Sequence, residues 1–329
     1  MIDATQSTQA PRTVAEVAAG LGVGQDAASF VPTGFEPLDT ILEGGFKTRE
    51  LVIVGGLPGI GKTSIALQWA RHAAAVGCAA VYACYEHDEA TLLGRLLLQE
   101  VGNLGGGDAP ASHRTRSAVR AVTLGRARLE DELSDDPLLR AAYERLDDYA
   151  HRLWLVRASG IDTGLDEIRE LMAGYGRGAV LFVDYLQKIR SDVDTVSEVD
   201  RVAHLAGGLK ELALDKDIAV VAVVAGDESA LSTRRLRLQH LRGSAGLAYE
   251  ADIVLMLNEK ALAVSKSHTA FDPVRAQTFT NQVVLSMDKN RGGPAPIDME
   301  FSKDLAHFRF EPHGAIVEER LVDDLLYPE

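Results

Sequence analysis

Residues 51–69 read LVIVGGLPGIGKTSIALQW. Leu51, Val52, Ile53 and Val54 make an apolar run of buried-strand length. Gly56, Gly61, Lys62 and Thr63 then meet the spacing GxxxxGK(S/T), and a helical pattern follows. The order of strand, glycine loop and helix is what makes this motif specific. Glycines let successive backbone N–H groups converge on a polyphosphate without Cβ obstruction, and the helix beyond points its positive dipole end at the same place. Lys62 adds a mobile cation for the outer phosphates, and Thr63 can set its hydroxyl on Mg²⁺. A glycine-rich turn with an incidental lysine would lack both flanks, so nucleotide binding is the premise for the rest of the chain.

At 329 residues, with 46% hydrophobic and 25% charged residues, the composition is that of a globular protein with a sizeable core. The length admits one large or two modest domains. Two cysteines, Cys78 and Cys84, lack metal-type spacing and read as reduced, structural thiols. The start, MIDATQSTQAPR, has no basic stretch or apolar core, and the longest apolar run, Ile218 to Ala225, is far short of the ~20 residues of a membrane helix. A cytoplasmic protein without membrane contact is expected. A formal charge of −14 argues against a nucleic-acid coat over the whole surface but leaves room for a local basic track.

Residues 1–31 read as an arm with one short helix, opened by a capping box at Thr13-Val-Ala-Glu16. Such a piece either frays or docks, on a neighbouring subunit or another protein. Residues 32–312 read as one domain, and 313–329 as an acidic tail that frays. Within the domain, a second strand over 79–85 ends at Glu86, and 87 to about 152 is mainly helical with a looser zone at 105–110. Further strands are expected at 153–156, at 179–183 ending on Asp184, and at 218–225, with helices from Thr163 and over 196–214. This alternation implies an α/β fold with a mostly parallel, doubly wound sheet. Carboxylates at the carboxyl ends of such strands suit a Mg²⁺ site, and with the glycine loop as partner that reading of Asp184 is preferred to an N-cap or turn aspartate. After the 218–225 strand, residues 229–243 contain Arg234, Arg235, Arg237 and Arg242 and no carboxylate. That stretch reads as a phosphate-backbone track, a solvated loop or an intersubunit salt-bridge surface. Residues 283–287, 299–301 and 308–310 close the domain as antiparallel strands around Asp288-Lys289-Asn290-Arg291-Gly292-Gly293-Pro294.

In chain order, PTGFEPLDTILEGGF, GLPGIGKT, VLFVDYLQ, LRGSAGLAYEADIVLML and DKNRGGPAP resemble the C-terminal ATPase domain of the DnaB-type replicative DNA helicases, over roughly 32–312. The first two motifs are shared with other RecA-like ATPases, whereas the last three are more specific. The resemblance implies a RecA-like core in a homo-oligomeric ring, usually a hexamer, with ATP between neighbours and single-stranded nucleic acid in the channel. By position it implies that Gly56, Gly59, Ile60, Gly61, Lys62, Thr63 and Ser64 surround the phosphates. Thr63 and Asp184 hold Mg²⁺, and Glu86 orients and deprotonates the attacking water. Lys289 and Arg291 reach a neighbour's nucleotide as finger residues. Arg234, Arg235, Arg237, Arg242 and Gly243 form the nucleic-acid track.

Two departures qualify that expectation. The family's usual N-terminal helical domain is replaced by an arm, so primase recruitment by the usual route is not expected. The family's Ser-Gln-Leu-Asn after the strand at 218–225, whose glutamine senses the γ-phosphate, is Val224-Ala225-Gly226-Asp227 here. An aspartate close to phosphate would repel it by ~1 kcal/mol even under water-like screening. The alternative reading is therefore a regulatory or assembly ATPase that recruits a protein partner and does not unwind DNA.

Overall fold

The computed structural model describes residues 13–16, 29–105, 110–193, 197–265 and 277–322. Six strands run parallel: β3 (Leu51–Gly56), β4 (Ala80–Cys84), β5 (Leu153–Arg157), β6 (Val180–Asp184), β7 (Ala219–Ala225) and β8 (Ile253–Glu259). Their order is β8-β3-β7-β6-β4-β5. β9 (Gln282–Asn290), β10 (Ile297–Asp304), β11 (Arg309–Phe310) and β12 (Ala315–Ile316) extend the β8 side in antiparallel fashion. A separate ribbon pairs β1 (Phe30–Val31) with β2 (Phe46–Lys47), so ordered pairing begins just ahead of residue 32.

The central strands are apolar throughout because helices cover both faces of the sheet. The side chains alternate between two cores: on β7, Ala219, Val221 and Val223 pack on one face, and Val220, Ala222 and Val224 on the other. The first face carries helices Lys62–Ala75, Glu89–Asn103, Pro110–Thr123 and Pro137–Ala150. The second carries Leu165–Met172, Glu198–Lys216 and Ser244–Glu250, together with Leu236 and Leu241 of the loop after β7. Side-chain caps start several of these helices: Asp88 accepts from the Thr91 N–H at 2.8 Å, and Ser197 from the Asp200 N–H at 3.1 Å. The capping box at Thr13 and Glu16 also forms, with reciprocal bonds of 2.6 and 3.2 Å.

The expected fraying after Pro312 does not hold for residues 313–322. β12 lies on β10, Val264 bridges Leu321, and Lys260, 1% exposed, pairs with Glu300 and at 3.1 Å with Glu319. A buried ammonium needs counter-charge, and the carboxylate from the terminal segment supplies part of it. Residues 323–329, most of residues 1–28 and the expected loose zone at 106–109 lie outside the described residues.

Candidate nucleotide-binding site

The loop leaving β3 turns through Gly59 (φ +80°) and Gly61 (φ +104°), left-handed conformations that favour glycine. At Gly61 a Cβ would also stand 2.6 Å from the Phe310 ring, so the residue has both a conformational and a steric reason to be glycine. Ile60 buries its side chain in the core, which leaves only its backbone for a phosphate. The loop rims a cavity of about 500 Å³ whose wall includes Lys62, Thr63, Ser64, Glu86 and Asp184. Those residues arrive from three strand ends at the carboxyl edge of the sheet, where Cys84 and Asp184 are paired neighbours on β4 and β6.

Lys62 donates to the carbonyls of Gly56 and Leu57 at 2.9 Å each. Burial lowers its pKa, and the carboxylates of Asp184 and Glu86 push back. Asp184, 1% exposed, accepts from the Tyr82 hydroxyl at 2.9 Å. Burial, then the Asp184 charge, drives that phenol far above its usual range, so it remains a neutral donor. Glu86 stands exposed on the cavity wall, where water can reach its carboxylate. Among the described residues no group of three or more His, Cys, Asp or Glu is placed to hold a metal ion. The donor set here is one hydroxyl, Thr63, and one carboxylate, Asp184, which fits Mg²⁺ that keeps waters and takes phosphate oxygens.

Among the wall side chains that sequence reading missed are Arg95 and Phe308. Arg95 is 2.9 Å from His87 Nε2, and its guanidinium carbon is 5.1 Å from the Phe308 ring centroid. Gln99, one turn further along the helix, donates to the carbonyls of Ser64 (3.2 Å) and Phe308 (2.9 Å). The i, i+4 spacing of Arg95 and Gln99 was the available signal, masked by Leu92, Leu93, Leu96, Leu97 and Leu98 on the same helix.

Lys289 and Arg291 lie elsewhere. Lys289 pairs with Val254 and Asn290 with Ile253, and Ile253 pairs with Val52, so the two basic residues sit at the amino end of β3. The glycine loop, or P-loop, begins at Gly56, four residues further along that strand and on the order of 13 Å away at ~3.3 Å per residue. Lys289 donates to the carbonyls of Ala248, at 2.7 Å, and Ala251, and Arg291 reaches Asp252 Oδ1 at 3.3 Å and the Tyr249 carbonyl. Burial, then the nearby Arg291 charge, lowers the Lys289 pKa. The Arg291 side chain is still 48% exposed. Neither lines the cavity of its own chain.

The expected nucleic-acid track is only partly an open surface. Arg235 is buried against Asp298 at 2.5 Å, and Arg237 pairs with Asp288 at 2.8 Å. These two arginines tie the loop to β9 and β10 and are withdrawn from the track, because a buried guanidinium is held by the carboxylate that neutralises it. Arg234 donates to the Val264 carbonyl at 3.1 Å. Gly243 is buried at the start of helix Ser244–Glu250, where a Cβ would meet Val202 at 2.5 Å, so its role is packing. Arg242 is exposed.

Nor does Asp227 threaten the phosphates: it turns onto its own loop, accepting from the Ser229 hydroxyl at 2.5 Å and the Ala230 N–H at 3.1 Å. The hydroxyl of Ser229 holds its carboxyl below the usual range. A glutamine does stand at the end of β7, supplied by the 3-10 turn Leu186–Lys188 that follows β6. The Gln187 amide donates to the Ala225 carbonyl at 3.3 Å and accepts from its N–H at 3.2 Å, and it reaches the Arg242 carbonyl at 3.5 Å.

Residues 30–310 match the family described as DnaB-like helicase C terminal domain. The chain is 26% identical over 281 residues to the replicative DNA helicase DnaB of Treponema pallidum (strain Nichols), covering 84% of this chain and 55% of that protein. It is 28% identical over 275 residues to the replicative DNA helicase DnaB of Leifsonia xyli subsp. xyli, covering 80% and 52%. The chain thus spans about half the length of these relatives. Among solved structures, one of an isolated ATPase domain superposes with a TM-score of 0.68 at 19% identity, over 90% of this chain and 94% of that one. A DnaB-like replicative helicase studied for its interactions with primase superposes at 0.67 and 20%, over 86% and 61%.

Proposed function

The chain belongs to the DnaB-like helicase C-terminal domain family, and from that premise we propose that it is a Mg²⁺-dependent ATPase that works as a homo-oligomeric ring, usually a hexamer in this family, and moves along single-stranded nucleic acid. The observation that carries this reading is the separation of the two half-sites. Lys62, Thr63, Glu86 and Asp184 share one cavity, while Lys289 and Arg291 occupy the other end of β3 and β8. One chain therefore holds the nucleotide and its Mg²⁺ with one pole and offers a guanidinium with the other. Head-to-tail neighbours bring the two poles together.

In that arrangement the P-loop N–H groups and Lys62 bind the phosphates, and Thr63 and Asp184 hold Mg²⁺. Glu86 takes the proton of the attacking water, and the neighbour's Arg291 offsets charge developing on the transferred phosphoryl group. Bound Mg²⁺ supplies neutralisation of the phosphate oxygens. Exposed Arg242, joined through Gln187 to the end of the strand beside the cavity, is the side chain best placed to report nucleotide state to a strand in the channel. The arm, residues 1–31, stays in reserve as a contact for a neighbour or another protein.

Complementation tests the shared site. Glu86→Gln and Arg291→Ala are each expected to lose about 10³-fold in ATP turnover. Mixed, they are expected to recover part of it, because some interfaces then join an intact Glu86 to an intact Arg291. No recovery from mixtures shown by sedimentation to co-assemble would reject the trans site. Strand displacement measured beside turnover separates the motor from the regulatory alternative, since DNA-independent hydrolysis without displacement fits only the latter.

A further inference from the structure

A second arginine-rich stretch lies apart from the 229–243 loop. From Pro110 to Leu129 the sequence carries five arginines and no carboxylate, in a chain of net charge −14. Helix Pro110–Thr123 turns Ser112, Thr115, Ala118 and Val119 inward. It is fixed there by a 2.8 Å bond between Ser112 Oγ and His307 Nε2 and a 2.7 Å bond from Thr115 Oγ1 to Asp136. Arg114 and Arg120 on the outer face, and Arg126 and Arg128 in the turn beyond, are exposed; the side chains of Arg114 and Arg128 are 66% and 79% accessible.

The counter-ions are weak. Arg114 stands 3.9 Å from Asp136, and Arg128 is 3.6 Å from Glu130, itself 83% exposed. This face belongs to the core on the opposite side of the sheet from Leu236 and Leu241 of the 229–243 loop, so the two basic regions are separate surfaces.

We propose that Arg114, Arg120, Arg126 and Arg128 form a second, peripheral site for the phosphate backbone of single-stranded nucleic acid. Guanidinium groups match phosphate oxygens in fork geometry, and repeated cations along an exposed helix and turn suit a ligand with regularly repeated anions. The acidic helix Leu129–Asp135, with Glu130, Asp131 and Glu132 in its first turn, bounds the basic face at one end and repels a polyanion from there. No aromatic residue occurs between Pro110 and Leu129, so backbone contact without base stacking is expected. Leu124 is the large apolar residue exposed in this stretch, at 52%. A protein partner would require a broader apolar centre than that. The site does not depend on hydrolysis or on the channel assignment.

The test uses the full chain, a labelled oligothymidylate and fluorescence anisotropy across a salt series. Replacing the four arginines together by alanine is expected to weaken binding at least tenfold at low salt. The slope of log K against log salt should fall in magnitude by about 3, from ~0.7 for each phosphate no longer neutralised. Lysine at the four positions should keep the slope, and ATP turnover without DNA should be unchanged in both variants. Should the alanine variant melt early, Arg120→Glu and Arg126→Glu taken singly, each lowering the slope, carry the same reading.

An unchanged slope and affinity in the alanine variant overturns the proposal. So does loss of poly-glutamate binding with oligothymidylate binding intact, which would assign the face to an acidic protein. Arg242→Ala keeps the two proposals apart: if it alone removes all binding, the peripheral site is wrong and the channel stands.

Discussion

Two carboxylate-free arginine stretches, 110–129 and 229–243, look alike as sequence and end in opposite states. In the second, Arg235 and Arg237 are folded inward onto Asp298 and Asp288, and the charge becomes mortar between a loop and an antiparallel pair of strands. In the first, apolar and hydroxyl-bearing side chains face the core and leave the guanidinium groups in water. Local charge balance therefore does not decide whether a cation is available to a partner. What decides it is whether carboxylates from distant strands, such as those on β9 and β10, arrive beside it.

Stability measurements can break this contrast. Arg235→Ala leaves a largely buried Asp298 partner uncompensated and is expected to cost about 3 kcal/mol in denaturant unfolding. Arg237→Ala should cost about 2 kcal/mol and change the pH profile. Burial raises the Asp288 pKa, and Arg237 is the first influence opposing that rise. Since the folded protein then binds a proton the unfolded chain has released, stability contributed by this group falls as pH rises from the usual aspartate range through the raised folded value. Without Arg237 that fall should extend to higher pH, as urea titrations across a pH series would show. At the other extreme, Arg120→Ala is expected to change stability by no more than ~0.5 kcal/mol. A drop well beyond that would mean the outer face is held by bonds like those of the 229–243 loop, and the contrast would fail.

Much of the fold was legible because its signals are local. The apolar runs that became β3, β6 and β7, the glycine spacing before Lys62, and the carboxylates closing β4 and β6 can each be read within a window of about ten residues. Features that escaped depend on long separations. Gln187 meets Ala225 across 38 positions, so an amide at the end of β7 exists although the strand's own sequence lacks one. Arg237 and Asp288 are 51 positions apart, and nothing near either foretells the pair. The outer face of helix Pro110–Thr123 escaped for another reason: residues 87 to about 152 read only as mainly helical, and a helical periodicity that finds a buried side such as Ser112, Thr115, Ala118 and Val119 says nothing of the sign of charge on the other.

The ammonium of Lys260 ties the end of the described chain to its middle, through Glu300 on β10 and Glu319 beyond β12. Shortening the protein at Pro312, just past the matched family region, would remove one of those two anions and leave a positive charge half-compensated inside an apolar wall. A minimal domain drawn from the family boundary alone would therefore be less sturdy than its motifs suggest. Shortening it after Val322 instead would keep the clasp.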